Sequence, residues 1–329
     1  TPPRAISKPA ASAARLPRRS GVEFMKATAS TLAEPVVAEK FAAEKSAVAV
    51  FCDLVKARLT SLVLVTTLVG FYAGSGSPVD YWKMLHVLIG TAVLACGAAA
   101  LNQFLERDLD AKMRRTEDRP LPSGRLSPDA VLLIGAGLAV CGLLDLTLFV
   151  NKLTGFLGAA TLVSYVFVYT PLKRVTTLNT LIGAIPGAIP PLMGWTAATG
   201  EISAAGWSLF AILFLWQLPH FMAIAWLYRE DYARAGFKML PIVDPDGRKT
   251  AAQAVCHAFG LVPVSLFPAL LGVAGVVYFG AAILLSGAFL YFAIQFSRQV
   301  TAERARQLFI ASIVYLPALL GLLVLDKVK

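Results

Sequence analysis

The chain has 329 residues; 57% are hydrophobic, only 15% are charged, and the formal net charge is +10. Soluble domains average roughly 45–50% apolar and about 25% charged residues, so this composition excludes an ordinary soluble domain and points to a membrane protein. The basic residues sit in particular loops between apolar runs, which excludes a nucleic-acid-binding surface as the reason for the charge.

Residues 1–50 come first. They are rich in Ala, Pro and Ser, and carry Arg4, Lys8, Arg15, Arg18 and Arg19 before the first acid, Glu23. Such a segment cannot bury enough apolar surface to order itself, so a disordered basic cytoplasmic tail is expected. A transit peptide is the other reading of a basic, acid-poor start. Residues 51–329 read as one transmembrane domain. Apolar segments long enough to cross about 30 Å of hydrocarbon recur near 54–74, 82–105, 129–150, 153–171, 176–197, 205–228, 252–274, 276–297 and 307–325. The alternating pattern of a barrel is absent, so the expected fold is an all-α membrane protein, a bundle of about nine transmembrane helices.

The loops alternate in charge. One side carries Lys56, Arg58, the 102–125 loop, Lys173, Arg174, the 229–249 loop, Arg298, Arg304 and Arg306; before the tail the other carries only Lys83 and Lys152. Cytoplasmic loops hold the excess of Lys and Arg, which predicts a cytoplasmic N-terminus and an outer C-terminus. The four cysteines show no CxxC spacing and read as small packing residues.

After the second span comes NQFLERDLDAKMRRTEDRP (102–120), with five acids and five bases. Each charge at a membrane-helix centre costs about 2.5–3.5 kcal/mol, so the stretch belongs in water or in a polar cavity at the membrane surface. Asn102, Glu106 and Asp110 stand at i, i+4 and i+8, within about 80° of arc on a helix. Asp108 points elsewhere. Oxygen ligands on one face suit magnesium, which usually takes one or two carboxylates plus substrate phosphates. Arg114, Arg115 and Arg119 follow, and guanidinium groups grip phosphate oxygens bidentately. The combination reads as a diphosphate site; a solvated loop of mixed charge is the plainer alternative.

YTPLKR (169–174) places Lys173 and Arg174 in a short loop. Like Lys56 and Arg58 at the foot of the first span, they are topology signals or phosphate binders. TLIGAIPGAIPPLMGW (180–195) is interrupted by Pro and Gly, as helices that line cavities commonly are. In WQLPHFMAIAWLYREDYARAGFKMLP (216–241), a second polar cluster faces the same side as the first. The two clusters are placed to meet across a cavity and hold two metals. His220, an ionisable group inside a span, is a functional candidate or a histidine bonded to a neighbouring helix.

These stretches, with RARQLFIASIVYLP (304–317) more weakly, resemble the UbiA superfamily of intramembrane prenyltransferases over roughly residues 50–325, and its heme-modifying branch most of all. The resemblance implies a nine-helix bundle around a central cavity, with the diphosphate capped by cytoplasmic loops. The family's NxxxDxxxD motif falls on Asn102, Glu106 and Asp110, with Glu as the middle acid. Of its second motif only Asp231 is matched, with Glu230 beside it. Its Lys-Pro-Arg signature becomes Lys56-Ala57-Arg58. The resemblance implies catalysis by Asn102, Glu106, Asp110 and Asp231, with two Mg2+ ions on these residues and Glu230. It implies diphosphate binding by Lys56, Arg58, Arg115, Arg119, Lys173 and Arg174, and heme contact by His220. The implied reaction moves the farnesyl group of farnesyl diphosphate to a vinyl group of heme b, feeding a heme A synthase. A bacterial inner membrane is the implied location, a mitochondrial inner membrane the alternative. Transfer to a quinone precursor or a chlorophyll-type ring is a rival within the family; a transporter or a scaffold for oxidase assembly is a rival outside it.

Overall fold

The computed structural model describes Thr1 and residues 45–328. The tail expected over 1–50 lies largely outside the described residues, and helix α1 (Ala47–Leu54) already begins within it. Among the described residues nine helices are long and apolar enough to cross a membrane. They are built on α2 (Ala57–Gly74), α3 (Tyr81–Asp110), α4 (Pro128–Asp145), α5 (Lys152–Val163), α6 (Asn179–Thr199), α7 (Ala204–Leu227), α8 (Arg248–Val264), α9 (Val276–Arg298) and α10 (Ala302–Leu325), and the third, fourth and seventh spans run on to Val150, Leu172 and Leu270. Turns of π-helix extend α4 over Leu146–Val150 and α5 over Ser164–Tyr169.

The helix starts are written locally. Asp80, Ser127, Asn151, Ser203 and Thr301 each accept a backbone N–H three residues on, and Pro128 occupies the first turn of α4. Such caps satisfy donors that the first turn leaves orphaned. The largest departure from the hydropathy reading is α3. Its 30 residues make a rod about 45 Å long at 1.5 Å per residue, longer than the hydrocarbon is thick. Helix therefore continues through the charged stretch to Asp110, and the last turns stand clear of the bilayer core.

Close packing rests on small residues, as expected where lipid is as apolar as the helix surface. A Cβ on Gly70 would lie 2.0 Å from the Pro191 carbonyl oxygen, and one on Gly194 would lie 1.9 Å from that of Thr67. The backbones of α2 and α6 therefore touch directly. Helix α6 is continuous despite Pro186, Pro190 and Pro191, and it is the most deeply buried span rather than a broken one. Gln217 Nε2 donates to the Ala184 carbonyl at 2.7 Å, tying α6 to α7. At the face opposite the basic loops, His86 Nδ1 meets Asp145 Oδ1 at 2.8 Å, pairing two ionisable groups inside the bundle. Lys327 Nζ donates to the Tyr72 and Ser75 carbonyls at 2.6 and 2.5 Å, latching the end of α10 to the end of α2. The cysteines correct the packing expectation: Cys52, Cys141 and Cys256 are exposed on the helix surface, and only Cys96 is half-buried.

Candidate active site

The final turns of α3 carry the ladder read from the sequence. Asn102, Glu106 and Asp110 are buried, at 0%, 4% and 1% exposure. Asp108 points outward with 85% of its side chain exposed. The i, i+4, i+8 spacing has produced one inward polar face, as helical periodicity requires.

Each rung is met by a base from a different part of the chain. Lys56 Nζ donates to Asn102 Oδ1 at 2.7 Å. Lys173 Nζ donates to Glu106 Oε1 and Oε2 at 2.8 and 3.1 Å. Arg119 donates to Asp110 Oδ2 at 2.6 Å. The rungs are also joined: Asn102 Nδ2 donates to Glu106 Oε2 at 3.1 Å and to Thr170 Oγ1 at 3.0 Å.

Local structure aims these bases. Lys56, between α1 and α2, has φ 50° and ψ 51°, the one non-glycine residue with positive φ among the described residues. A left-handed lysine costs roughly 1–2 kcal/mol, and such strain concentrates at functional sites. Lys173 follows the π-helical turns of α5 and the short helix Thr170–Leu172; its amine lies 4.6 Å from the Tyr169 ring centre and 5.7 Å from that of Phe237. Arg119 sits in the loop after α3, which Thr116 pins by donating to the Asp110 carbonyl at 2.8 Å. Burial, with the like charges of Arg119 and Lys173, pulls the Lys56 ammonium down to about 7. For Lys173 burial also opposes the charge, but Tyr169, Glu106 and Tyr165 outweigh it and hold the ammonium above the usual lysine range.

Tyr165, Tyr169, Thr170 and Gln103 escaped the sequence reading. Tyr165 offers its hydroxyl oxygen to Lys56 Nζ at 3.4 Å, and Tyr169 stacks on Tyr165. A Cβ on Gly183 would meet the Tyr169 ring at 2.4 Å, so the glycine makes room for it. The signal was present: Tyr169 and Lys173 stand at i, i+4 in YTPLK.

Other expected members stand apart. Arg58 and Arg174 are exposed and make no side-chain hydrogen bond or ion pair among the described residues. Arg58, two residues after Lys56, lies on another helix face. Arg115 caps the two clusters instead of joining the ladder: its guanidinium lies 5.7 and 5.9 Å from the ring centres of Tyr228 and Tyr232. Asp231 pairs with Arg234 within the helix Arg229–Arg234. Glu230, the preceding residue, is exposed and faces a surface recess beside Arg229, Pro241 and Pro245. Among the described residues no three His, Cys, Asp or Glu side chains converge tightly enough to hold a metal. Asp231 is engaged with Arg234 and Glu230 is exposed, while the ladder's own bases meet its acids everywhere except at Asp110 Oδ1.

The ladder nevertheless suits a hard cation. All its donors are oxygens, and Asp110 Oδ1 is buried with no hydrogen-bond partner while Oδ2 holds Arg119. The buried Lys173–Glu106 pair also bears on stability. Removing one partner of such a pair costs about 3–5 kcal/mol, whereas apolar replacement of both is often neutral. Lys173→Met is expected to lower the melting temperature in detergent markedly, and Lys173→Met with Glu106→Leu to restore most of it. A destabilised double variant would show that the pair is not the cause.

His220 is not part of the ladder. It lies one and a half to two turns inside α7, packed toward α10. Its Nδ1 lies 2.7 Å from Ser312 Oγ, and that hydroxyl donates to the Phe309 carbonyl at 2.5 Å. The Nδ1–Ser312 contact ties one ring nitrogen of His220 to α10. Trp216 and Phe309 flank the ring with centroids at 5.0 and 5.1 Å.

Fold and site define a class: a multi-pass membrane enzyme whose polar chemistry is gathered at one end of an apolar bundle. Residues 63–316 match the UbiA prenyltransferase family. The chain is 49% identical over 286 residues to a protoheme IX farnesyltransferase of Solibacter usitatus, covering 84% of this chain and 98% of that protein. A solved structure of digeranylgeranylglyceryl phosphate synthase superposes with a TM-score of 0.73 at 18% identity, covering 84% of this chain and 97% of the other. A UbiA homologue from Archaeoglobus fulgidus bound to DMAPP and Mg2+ superposes with a TM-score of 0.63 at 14% identity, covering 82% and 99%. The chain belongs to the UbiA prenyltransferase family, which sets aside the transporter and scaffold readings.

Proposed function

We propose that this protein transfers the farnesyl group of farnesyl diphosphate to a vinyl group of heme b, releasing diphosphate. The supporting observation is the buried ladder Asn102–Glu106–Asp110 with its three opposing bases, in a chain so similar to a protoheme IX farnesyltransferase. The diphosphate lies at the ladder, and the farnesyl chain runs among the apolar spans. Asn102, Glu106 and Asp110 are the residues that would hold magnesium, with Asp231 as a further candidate ligand. When bound, the ion neutralises charge on the leaving diphosphate.

The chain's own residues then act as follows. Lys56, Lys173 and Arg119 exchange their carboxylate and amide partners for diphosphate oxygens, where negative charge grows as the allylic C–O bond breaks. The bonding pair leaves with diphosphate. Apolar walls keep water from the farnesyl cation until the vinyl π-pair attacks it. Water then adds to the resulting cation next to the porphyrin ring and loses a proton, leaving a hydroxyethylfarnesyl group. His220 would contact the heme, at iron or at a propionate, with Ser312 orienting the ring through Nδ1. Neither role requires a covalent nucleophile. The basic face is inferred to be cytoplasmic, in a bacterial inner membrane, with a heme A synthase receiving the product.

Purified protein in nanodiscs, given heme b, labelled farnesyl diphosphate and Mg2+, should yield a porphyrin heavier by a farnesyl group plus a hydroxyl. Turnover of an aromatic acid with no modified porphyrin rejects the proposal. His220→Ala should weaken heme binding, followed by the Soret band, about tenfold or more, and Ser312→Ala should weaken it less. An unchanged Soret titration for His220→Ala removes the histidine from the heme site.

A further inference from the structure

Helix α1 lies outside the ladder, yet it is fastened to the segment that builds it at both ends. At its C-terminal end Gln103 Nε2 donates to the Asp53 and Leu54 carbonyls, both at 2.8 Å. Gln103 is wholly buried and adjacent in sequence to Asn102. At its N-terminal end Lys45 Nζ bridges Asp53 Oδ2 and Asp118 Oδ2, each at 2.7 Å. Asp118 neighbours Arg119, the base on Asp110. Immediately after α1 the chain takes the left-handed turn that sends Lys56 to Asn102.

The outer face of α1 is apolar. Val48 is 73% exposed and Phe51 48%, with the exposed Cys52 beside Phe51 at i+4 from Val48. Only residues 55 and 56 separate α1 from the spanning helix α2, whose Leu59, Leu62 and Val65 are about as exposed. An apolar helix face set directly at the end of a spanning helix matches the bilayer interface. In water Val48 and Phe51 would be uncovered for no gain.

We propose that α1 is an interfacial helix seated in the bilayer surface, and that this seating holds Lys56 and the 111–127 loop in place over the ladder. The second half rests on the reading of Lys56 as a diphosphate-binding residue; the first half does not. The membrane surface is then part of the site's scaffold. Lifting α1 out of the interface frees the left-handed turn to relax and withdraws the Lys56 ammonium.

The test uses the full chain in nanodiscs, with Cys96, Cys141 and Cys256 replaced by alanine so that Cys52 alone carries a nitroxide. Power saturation against oxygen and a water-soluble nickel chelate reports depth. Labels at Asp108→Cys, in water, and Leu62→Cys, in lipid, calibrate it. The label at Cys52 should read between the two; a reading equal to that at 108 overturns the seating. Phe51→Glu, with the milder Phe51→Ser beside it, should shift the Cys52 label toward water. It should also weaken binding of inorganic diphosphate with Mg2+ about tenfold, the scale of one charge-assisted hydrogen bond. Lys56→Ala should weaken that binding as much without moving the label. Unchanged diphosphate binding in both Phe51 variants, with the label displaced, overturns the coupling. Unchanged binding in Lys56→Ala overturns the coupling through the reading of the site, and leaves the depth result to decide the seating.

Discussion

Asp110→Asn is expected to reduce farnesyl transfer about 10²- to 10³-fold, the scale of losing one preorganised electrostatic contact to a developing charge. The bundle should stay folded, because asparagine keeps the shape and Arg119, 21% exposed at its side chain, can turn to solvent. Asp110 is singled out by its free oxygen. Glu106 has both oxygens engaged, by Lys173 and Asn102, whereas Asp110 Oδ1 is buried and unpartnered. A buried carboxylate oxygen with nothing to accept from is costly unless a ligand completes it. Asp108→Asn is the control: two residues away, it faces solvent and should leave the rate within a factor of about two. Turnover should be read with saturating and limiting Mg2+. If Asp110→Asn retains a third or more of the wild-type rate at both, the ladder is not the seat of the chemistry.

The second large effect concerns the frame. Gly194→Ala is expected to cost roughly 3 kcal/mol or more, the upper end of what overpacking does, and to leave little monodisperse protein. Its new methyl would stand 1.9 Å from the Thr67 carbonyl oxygen and 2.6 Å from the Phe71 amide nitrogen. Both are backbone atoms of α2, so no rotamer change relieves the overlap. Helices α2 and α6 would have to separate, and α2 carries Lys56 at its foot. Gly287→Ala, in α9, supplies the opposite sign: nothing lies within 4 Å of its Cβ. There the better helix propensity of alanine should stabilise by up to about 1 kcal/mol. Melting temperatures of the two variants in the same detergent should fall on opposite sides of wild type. Equal shifts would mean that the α2–α6 contact is looser than described.

Both expectations draw on features that were legible to different degrees. Hydropathy located the nine spans found among the described residues, because the demand for about 20 apolar residues is local and strong. The ladder was legible too, since a 3.6-residue period places 102, 106 and 110 together wherever α3 packs. The end of α3 was not. Charge was read as the end of the span, whereas a helix can outrun the hydrocarbon by several turns at little cost. The prolines of α6 misled in the same way: the helix runs unbroken through Pro186, Pro190 and Pro191, packed closely against Gly70 of α2, which composition does not show.

The sequence by itself determined the membrane class, the spans, the polar ladder on α3 and the resemblance that led to the prenyltransferase family. Those follow from composition, periodicity and short motifs, which act within one helix. Only the tertiary structure decided which bases face which rung. Lys56 reaches Asn102 across 46 residues and Lys173 reaches Glu106 across 67, while Arg58 and Arg174, equally basic and close by in sequence, turn away. That choice depends on helix neighbours, on a left-handed turn at Lys56 and on a π-helical stretch before Lys173. A charged side chain settles where burial, partner distance and backbone direction agree, and those three conditions exist only once the helices have packed.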